Sequence, residues 1–103
     1  DFLKVEMKTG KIISVEDHPD ADTLYVIIIE DGPDSTRTVC AALKGIYEPS
    51  ELEGLNVVYV ANLKPRKLRG VLSEGMILAA DDGKGGVSVL TLDGNMPPGS
   101  VVR

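Results

Sequence analysis

Leu3-Lys4-Val5-Glu6-Met7-Lys8-Thr9-Gly10-Lys11-Ile12-Ile13-Ser14-Val15 is the stretch that decides the fold. Leu3, Val5 and Met7 alternate with Lys4, Glu6 and Lys8, the period of two that places one face of a β-strand against a core. The apolar phase resumes at Ile13 and Val15. Gly10 lies between the two halves, where a long strand can bend without a side chain in the way. A strand bent in its middle serves both sides of a small barrel.

Outward from this strand the chain reads as β-rich. His18-Pro19-Asp20-Ala21-Asp22 is a loop, Leu24 to Glu30 a second strand apolar on both faces, Asp31 to Ser35 a turn and Arg37 to Ala41 a third strand. Pro49-Ser50-Glu51-Leu52 reads as one helical turn, with Pro49 tolerated at its start. Leu55 to Val60 is a fourth strand and the segment after it a loop. Gly70 to Asp81 is a fifth strand, Asp82 to Gly86 a flexible turn, Val87 to Leu92 a sixth strand and Asp93 to Gly99 an irregular tail. This pattern predicts one all-β domain over residues 1–103, a small Greek-key barrel with a short helix before the fourth strand. The oligonucleotide/oligosaccharide-binding (OB) barrel is the commonest such architecture, although other small barrels share the strand count.

A chain of 103 residues with 43% hydrophobic content supports one modest core. The longest apolar run, Leu24 to Ile29, is far short of the roughly 18 residues of a membrane helix. Cys40 is the only cysteine, which predicts a reducing, cytoplasmic setting without an intrachain disulfide. The sequence opens on Asp1 rather than methionine, the expectation for a domain of something longer. His18 and Cys40 are the only candidates for nucleophile–base chemistry. They lie on different elements with no orienting third group, so no catalytic site is predicted. His18 is expected to fix its loop by hydrogen bonds, and Cys40 to be a small buried residue. Glu16, Asp17, Asp20 and Asp22 lack the glycine and terminal glutamate of a calcium loop, so no metal or cofactor is predicted.

The segment Asn62-Leu63-Lys64-Pro65-Arg66-Lys67-Leu68-Arg69-Gly70-Val71-Leu72-Ser73-Glu74-Gly75-Met76 points to function. It carries Lys64, Arg66, Lys67 and Arg69 in a chain of formal charge -5. Removing those four from the 11 basic residues leaves 7 against 16 acidic ones. Positive charge concentrated in this way suits a local grip on a polyanion, while the acidic remainder disfavours wrong orientations. The plainer alternative is a solvated basic loop. Arg66 and Arg69 suit two-donor phosphate contacts, and Lys64 and Lys67 act as point charges. Asn62 and Ser73 add neutral donors and acceptors for a sugar or base edge, with turn capping as the rival role. Met76 is a soft apolar contact or, by spacing alone, a core residue.

The chain resembles the tRNA-binding domain found at the C-terminus of many methionyl-tRNA synthetases. The same module makes up the free-standing bacterial tRNA-binding protein and recurs in the endothelial-monocyte-activating polypeptide. The resemblance is carried by Gly10-Lys11-Ile12, His18-Pro19, Ala21-Asp22, Leu24-Tyr25, Tyr47, Pro49, Glu51-Leu52, Gly54, Asn62 to Pro65, Lys67, Arg69-Gly70 and Ser73-Glu74-Gly75-Met76. It implies an OB barrel of five strands with a short helix and extra terminal strands. It also implies a non-catalytic module that binds tRNA, forms a homodimer through terminal segments, and serves a methionyl-tRNA synthetase as part or subunit. Its RNA-contacting residues would be Asn62, Lys64, Arg66, Lys67, Arg69, Ser73 and Met76. Two positions depart from the family pattern: Lys8-Thr9 stands where arginine-valine is usual, and Ala41-Ala42 where serine-glycine is frequent.

Only Phe2, Tyr25, Tyr47 and Tyr59 are aromatic, too few for a base-stacking platform. This predicts recognition of folded RNA by backbone and shape. The five apolar side chains Leu24, Val26, Ile27, Ile28 and Ile29 exceed what one face can bury, and a partner subunit is expected to cover the rest. The rival reading is a dimeric export-type chaperone of the same fold that binds unfolded peptide.

Overall fold

The computed structural model describes residues 4–103. The Leu3 end of the alternating stretch therefore lies outside the described residues. The strand begins at Met7, and Val5 before it is exposed.

Strand β1 (Met7–Asp17) organises the barrel. Its first half pairs antiparallel with β4 (Asn56–Val60), from Met7↔Val60 to Lys11↔Asn56. Its second half pairs with β2 (Tyr25–Gly32), from Lys11↔Glu30 to Asp17↔Tyr25. One strand thus serves two neighbours, as expected of a strand bent in its middle. The register shift falls between Ile12 and Ser14 rather than at Gly10. There Ile12 N donates to Leu55 O at 2.9 Å and Ile12 O accepts from Gly54 N at 2.8 Å, so the backbone stays satisfied as the strand changes partner. Gly10 has a different purpose. A Cβ there would meet the Tyr59 ring at 3.1 Å and Glu30 O at 3.3 Å, so the missing side chain makes room for core packing.

β3 (Ser35–Ala41) completes a hairpin with β2, and the short helix α1 (Pro49–Leu52) leads into β4. In α1, Pro49 fits the helix start and Glu48 N donates to Glu51 Oε1 at 2.7 Å. Its Leu52 is fully buried, so the turn plugs the barrel with one side chain.

The predicted loop and fifth strand are corrected by the structure. The basic segment forms a hairpin of β5 (Arg66–Leu68) and β6 (Val71–Ser73). The chain continues as two further short strands, β7 (Met76–Ile77) and β8 (Ala79–Asp81). Each short strand has its own partner: β5 for β6, β4 for β7, and β9 (Val87–Val89) for β8. No single flat strand can reach all three, so it breaks at Glu74-Gly75 and at Leu78. The tail is irregular as predicted, until β10 (Val101–Val102) joins the edge of β1 that β2 has left. Thr9 anchors that tail, donating from Oγ1 to Pro97 O at 3.0 Å and accepting from Ser100 N at 3.1 Å. The departure from the valine of the family pattern has this local explanation.

The main sheet runs β3-β2-β1-β4-β7 and curls into an OB-like barrel. It closes by two side-chain bonds and one backbone bond between β3 and the Ser73-Glu74 corner. Cys40 N donates to Ser73 Oγ at 2.9 Å, Thr38 N to Glu74 Oε1 at 3.0 Å, and Glu74 N to Thr38 O at 2.8 Å. Arg37 tightens the seam, donating to Ala61 O and Glu74 O while its Nε pairs with Asp31 at 2.9 Å. Its guanidinium lies 4.9 Å from the Tyr59 ring centroid. Ile12, Ile27, Ile29, Val39, Val57 and Tyr59 fill the interior. Of the doubly apolar second strand, Ile27 and Ile29 point inward while Val26 and Ile28 remain half-buried. No helix among the described residues is long and apolar enough to cross a membrane.

Candidate nucleic-acid interface

The connection between β4 and β7 carries Lys64, Arg66, Lys67 and Arg69. Pro65 restricts its start, and β5 and β6 turn through Arg69-Gly70. Both turn residues have positive φ, 50° at Arg69 and 90° at Gly70, the signature of a type I′ hairpin turn. The predicted loop is therefore a two-stranded arm of defined shape.

Strand alternation divides the four cations. Arg66 lies on one face of the arm with Leu68 and Ser73, and Lys67 on the other, opposite Leu72. Lys64 and Arg66 line an open groove of 530 Å³ between the arm and the barrel. Lys67 and Arg69 line a cleft of 440 Å³ against residues 20–24, the loop after β1. All four are exposed, and none pairs with a carboxylate among the described residues, where the ion pairs are Arg37–Asp31 and Lys44–Asp17. The two loops that meet here follow β1 and β4, the positions from which OB barrels address oligonucleotides.

His18 fixes the arm to the barrel. The ring is buried, its Nε2 lies 2.7 Å from Leu68 O, and Asp20 N donates to Nδ1 at 3.0 Å. A neutral imidazole protonated at Nε2 satisfies both contacts. His18 thus fixes its loop, as the sequence suggests, and couples that loop to the middle of the basic arm.

The remaining candidates divide by position. Asn62 Oδ1 accepts from Glu6 N at 2.9 Å and its Nδ2 donates to Lys4 O. The amide is engaged in holding the segment before β1 against the base of the arm. Ser73 is buried, its hydroxyl accepting from Cys40 N and donating to Gly75 O at 3.2 Å. Met76 is half exposed on the wall of the groove. Cys40 lies on the groove floor, where burial pushes its thiol above the usual range and keeps it neutral. The structure thus brings Lys64, Arg66, Ser73 and Met76 to one groove and Lys67 and Arg69 to the cleft, with Asn62 at the base.

Tyr25 and Tyr59 are buried, and the Tyr47 hydroxyl accepts from Val89 N at 3.1 Å. None of the three lines the groove or the cleft. Phe2 lies outside the described residues. Sequence reasoning missed the hairpin, because Arg69 stands where asparagine, aspartate or glycine before Gly70 would signal the turn. It also missed Arg37, whose partners Ala61 and Glu74 lie far away in sequence.

The family described as "Putative tRNA binding domain" matches residues 7–101. The methionine–tRNA ligase of Pyrococcus abyssi is 52% identical over 103 residues, which is all of this chain and 14% of the ligase. The chain therefore spans about one seventh of the length of that relative. A methionyl-tRNA-synthetase-related protein from Pyrococcus horikoshii has a similar structure, with a TM-score of 0.89, 28% identity and coverage of 100% and 99% of the two chains. The chaperone CsaA from Picrophilus torridus has a TM-score of 0.87 at 28% identity, covering 97% and 92%. With a family match over nearly its whole length, this chain belongs to the tRNA-binding domains related to a region of methionine–tRNA ligases.

Proposed function

We propose that this domain grips folded tRNA with the β5–β6 arm and raises the tRNA affinity of a methionine–tRNA ligase, without chemistry of its own. The observation that carries this reading is four exposed cations, none paired with a carboxylate among the described residues, on an arm that His18 ties to the barrel. Less freedom is lost when such an arm meets phosphates. Arg69 adds weight, because it stands in a backbone region where asparagine or glycine costs less. Lys64, Arg66, Lys67 and Arg69 hold phosphates, Met76 gives an apolar contact, and Ser73 and Asn62 position the arm. The internal tyrosines favour recognition by backbone and shape over reading of single strands. A second contact on the same tRNA adds affinity through effective concentration. The setting we propose is the cytoplasm, where a lone thiol such as Cys40 stays reduced.

Filter binding of tRNA at several salt concentrations tests this reading. The expected slope of log affinity against log salt is about -3 for four phosphate contacts. The double variant Lys67→Glu, Arg69→Glu should weaken binding at least ten-fold and flatten that slope; an unchanged slope rejects the assignment.

The reading includes a homodimer. Val5 and Val101 are exposed at 61% and 71%, at the edge where β10 joins β1, and a second copy would cover them. Sedimentation of the wild type should show a dimer, and Val101→Asp a monomer; a monomeric wild type at micromolar concentration removes this part.

The second reading is a chaperone of the same fold. An apolar groove of 410 Å³ between β3 and β7–β9, with Ala41, Leu43, Leu78 and Val89 in its walls, favours it. Peptide binding there should be nearly indifferent to salt, unlike RNA binding.

A further inference from the structure

The groove between the arm and the barrel has a composition that phosphate binding alone does not need. Leu63 and Met76 stand in its wall at 42% and 50% exposure, large apolar side chains held in water beside two cations. Leu68 continues that wall, and Lys64 and Arg66 line the same groove. Its 530 Å³ falls within the roughly 300–1,000 Å³ typical of small-molecule sites. The cations disfavour an apolar peptide as the occupant, and the aliphatic walls give a phosphate alone nothing to bind. A ligand with one flat, largely apolar part joined to an anion satisfies both.

We infer that this groove takes a single unpaired nucleotide of the bound RNA, its base between Leu63, Leu68 and Met76 and its phosphates on Lys64 and Arg66. The inference rests on the RNA-binding reading and adds the nucleotide's conformation to it. A paired base does not enter, because unpairing and unstacking cost a few kcal/mol. Selection therefore falls on nucleotides that the RNA fold already leaves looped out. Identity readout is weak. The Ser73 hydroxyl already accepts from Cys40 N and donates to Gly75 O, and the Cys40 thiol is a weak hydrogen-bonding group. The groove separates a base from no base better than one base from another.

The test uses the 103-residue chain and three forms of one RNA stem: fully paired, with one bulged uridine, and with an abasic bulge at the same place. The bulged uridine should bind about ten-fold more tightly than either other form, the scale expected for burying part of one base. In Leu63→Ser, which alters an exposed position, the ratio of base to abasic affinity should fall below about two-fold. That ratio is internal to each variant and independent of any overall loss. Equal affinity for base and abasic bulges overturns the inference, while steep salt dependence of all three stems would leave the phosphate grip standing. An unchanged ratio in Leu63→Ser overturns the placement of the base in this groove. Equal base and abasic binding together with tighter binding of an uncharged apolar peptide gives the groove to peptide, which also overturns it. Absence of salt-dependent binding to any of the stems rejects the RNA-binding reading itself.

Discussion

Arg69 adopts a φ of 50°, a left-handed conformation that costs a non-glycine residue on the order of 1 kcal/mol. A type I′ turn prefers asparagine or glycine there, so the guanidinium is kept against the local preference. Arg69→Gly should leave thermal stability unchanged or slightly raised, because lost strain offsets added chain freedom. It should also reduce the salt slope of tRNA binding by about one contact. A fall in both melting temperature and affinity would instead make Arg69 a structural residue. Ser73 and Asn62 show the opposite case, since their polar atoms are engaged within the protein. Their residue types suit RNA contact in the sequence, but their partners make them supports for the groups that project from the arm.

At the scale of elements, the arm has few contacts of its own. Two three-residue strands are marginal in isolation. His18 bonds the Leu68 carbonyl and the Asp20 amide together, and the Ser73-Glu74 corner fastens the other strand to β3. His18→Leu keeps an apolar side chain of similar reach but orphans both backbone groups. It should destabilise the domain by about 1–3 kcal/mol and speed amide exchange across residues 66–73 more than across β2. Uniform exchange changes in both segments would mean that His18 supports the barrel and not the arm. Ser73-Glu74-Gly75 forms this corner. Its Ser73 and Glu74 side chains and the Glu74 amide close the barrel against β3.

For the molecule as a whole, closure has an electrostatic component. Burial pushes the Asp31 carboxyl up, but the hydroxyl of Ser35 and the guanidinium of Arg37 outweigh it and hold it below the usual 3.8. A carboxyl depressed on folding contributes stability that is complete above its unfolded pKa and lost as pH falls through the folded one. Asp82 acts in the same direction, held low by the backbone amides of Lys84 and Gly86. Stability should therefore be level near neutrality and decline below about pH 4. Asp31→Asn should cost about 1–2 kcal/mol at pH 7, a figure reduced for partial exposure, and make the decline shallower. Urea denaturation from pH 2.5 to 7 measures both; an equally steep acid limb in the variant would remove Asp31 as its source.

The strand β1, the helical turn at Pro49–Leu52 and the clustered charge of the basic segment are legible in the sequence, because local periodicity, proline geometry and composition record them. The family resemblance in the ordered motifs is legible for the same reason. The splitting of residues 70–81 into three strands is not, since each piece answers to a partner distant in sequence. Nor is the division of the cations between groove and cleft, which follows from hairpin register and from a hydrogen bond spanning 50 residues. Sequence by itself determined that this protein is a small β-barrel with one concentrated positive segment. Tertiary structure decided which of those side chains project and which brace, because hydrogen-bond partners and cavity walls exist only once the chain has closed on itself.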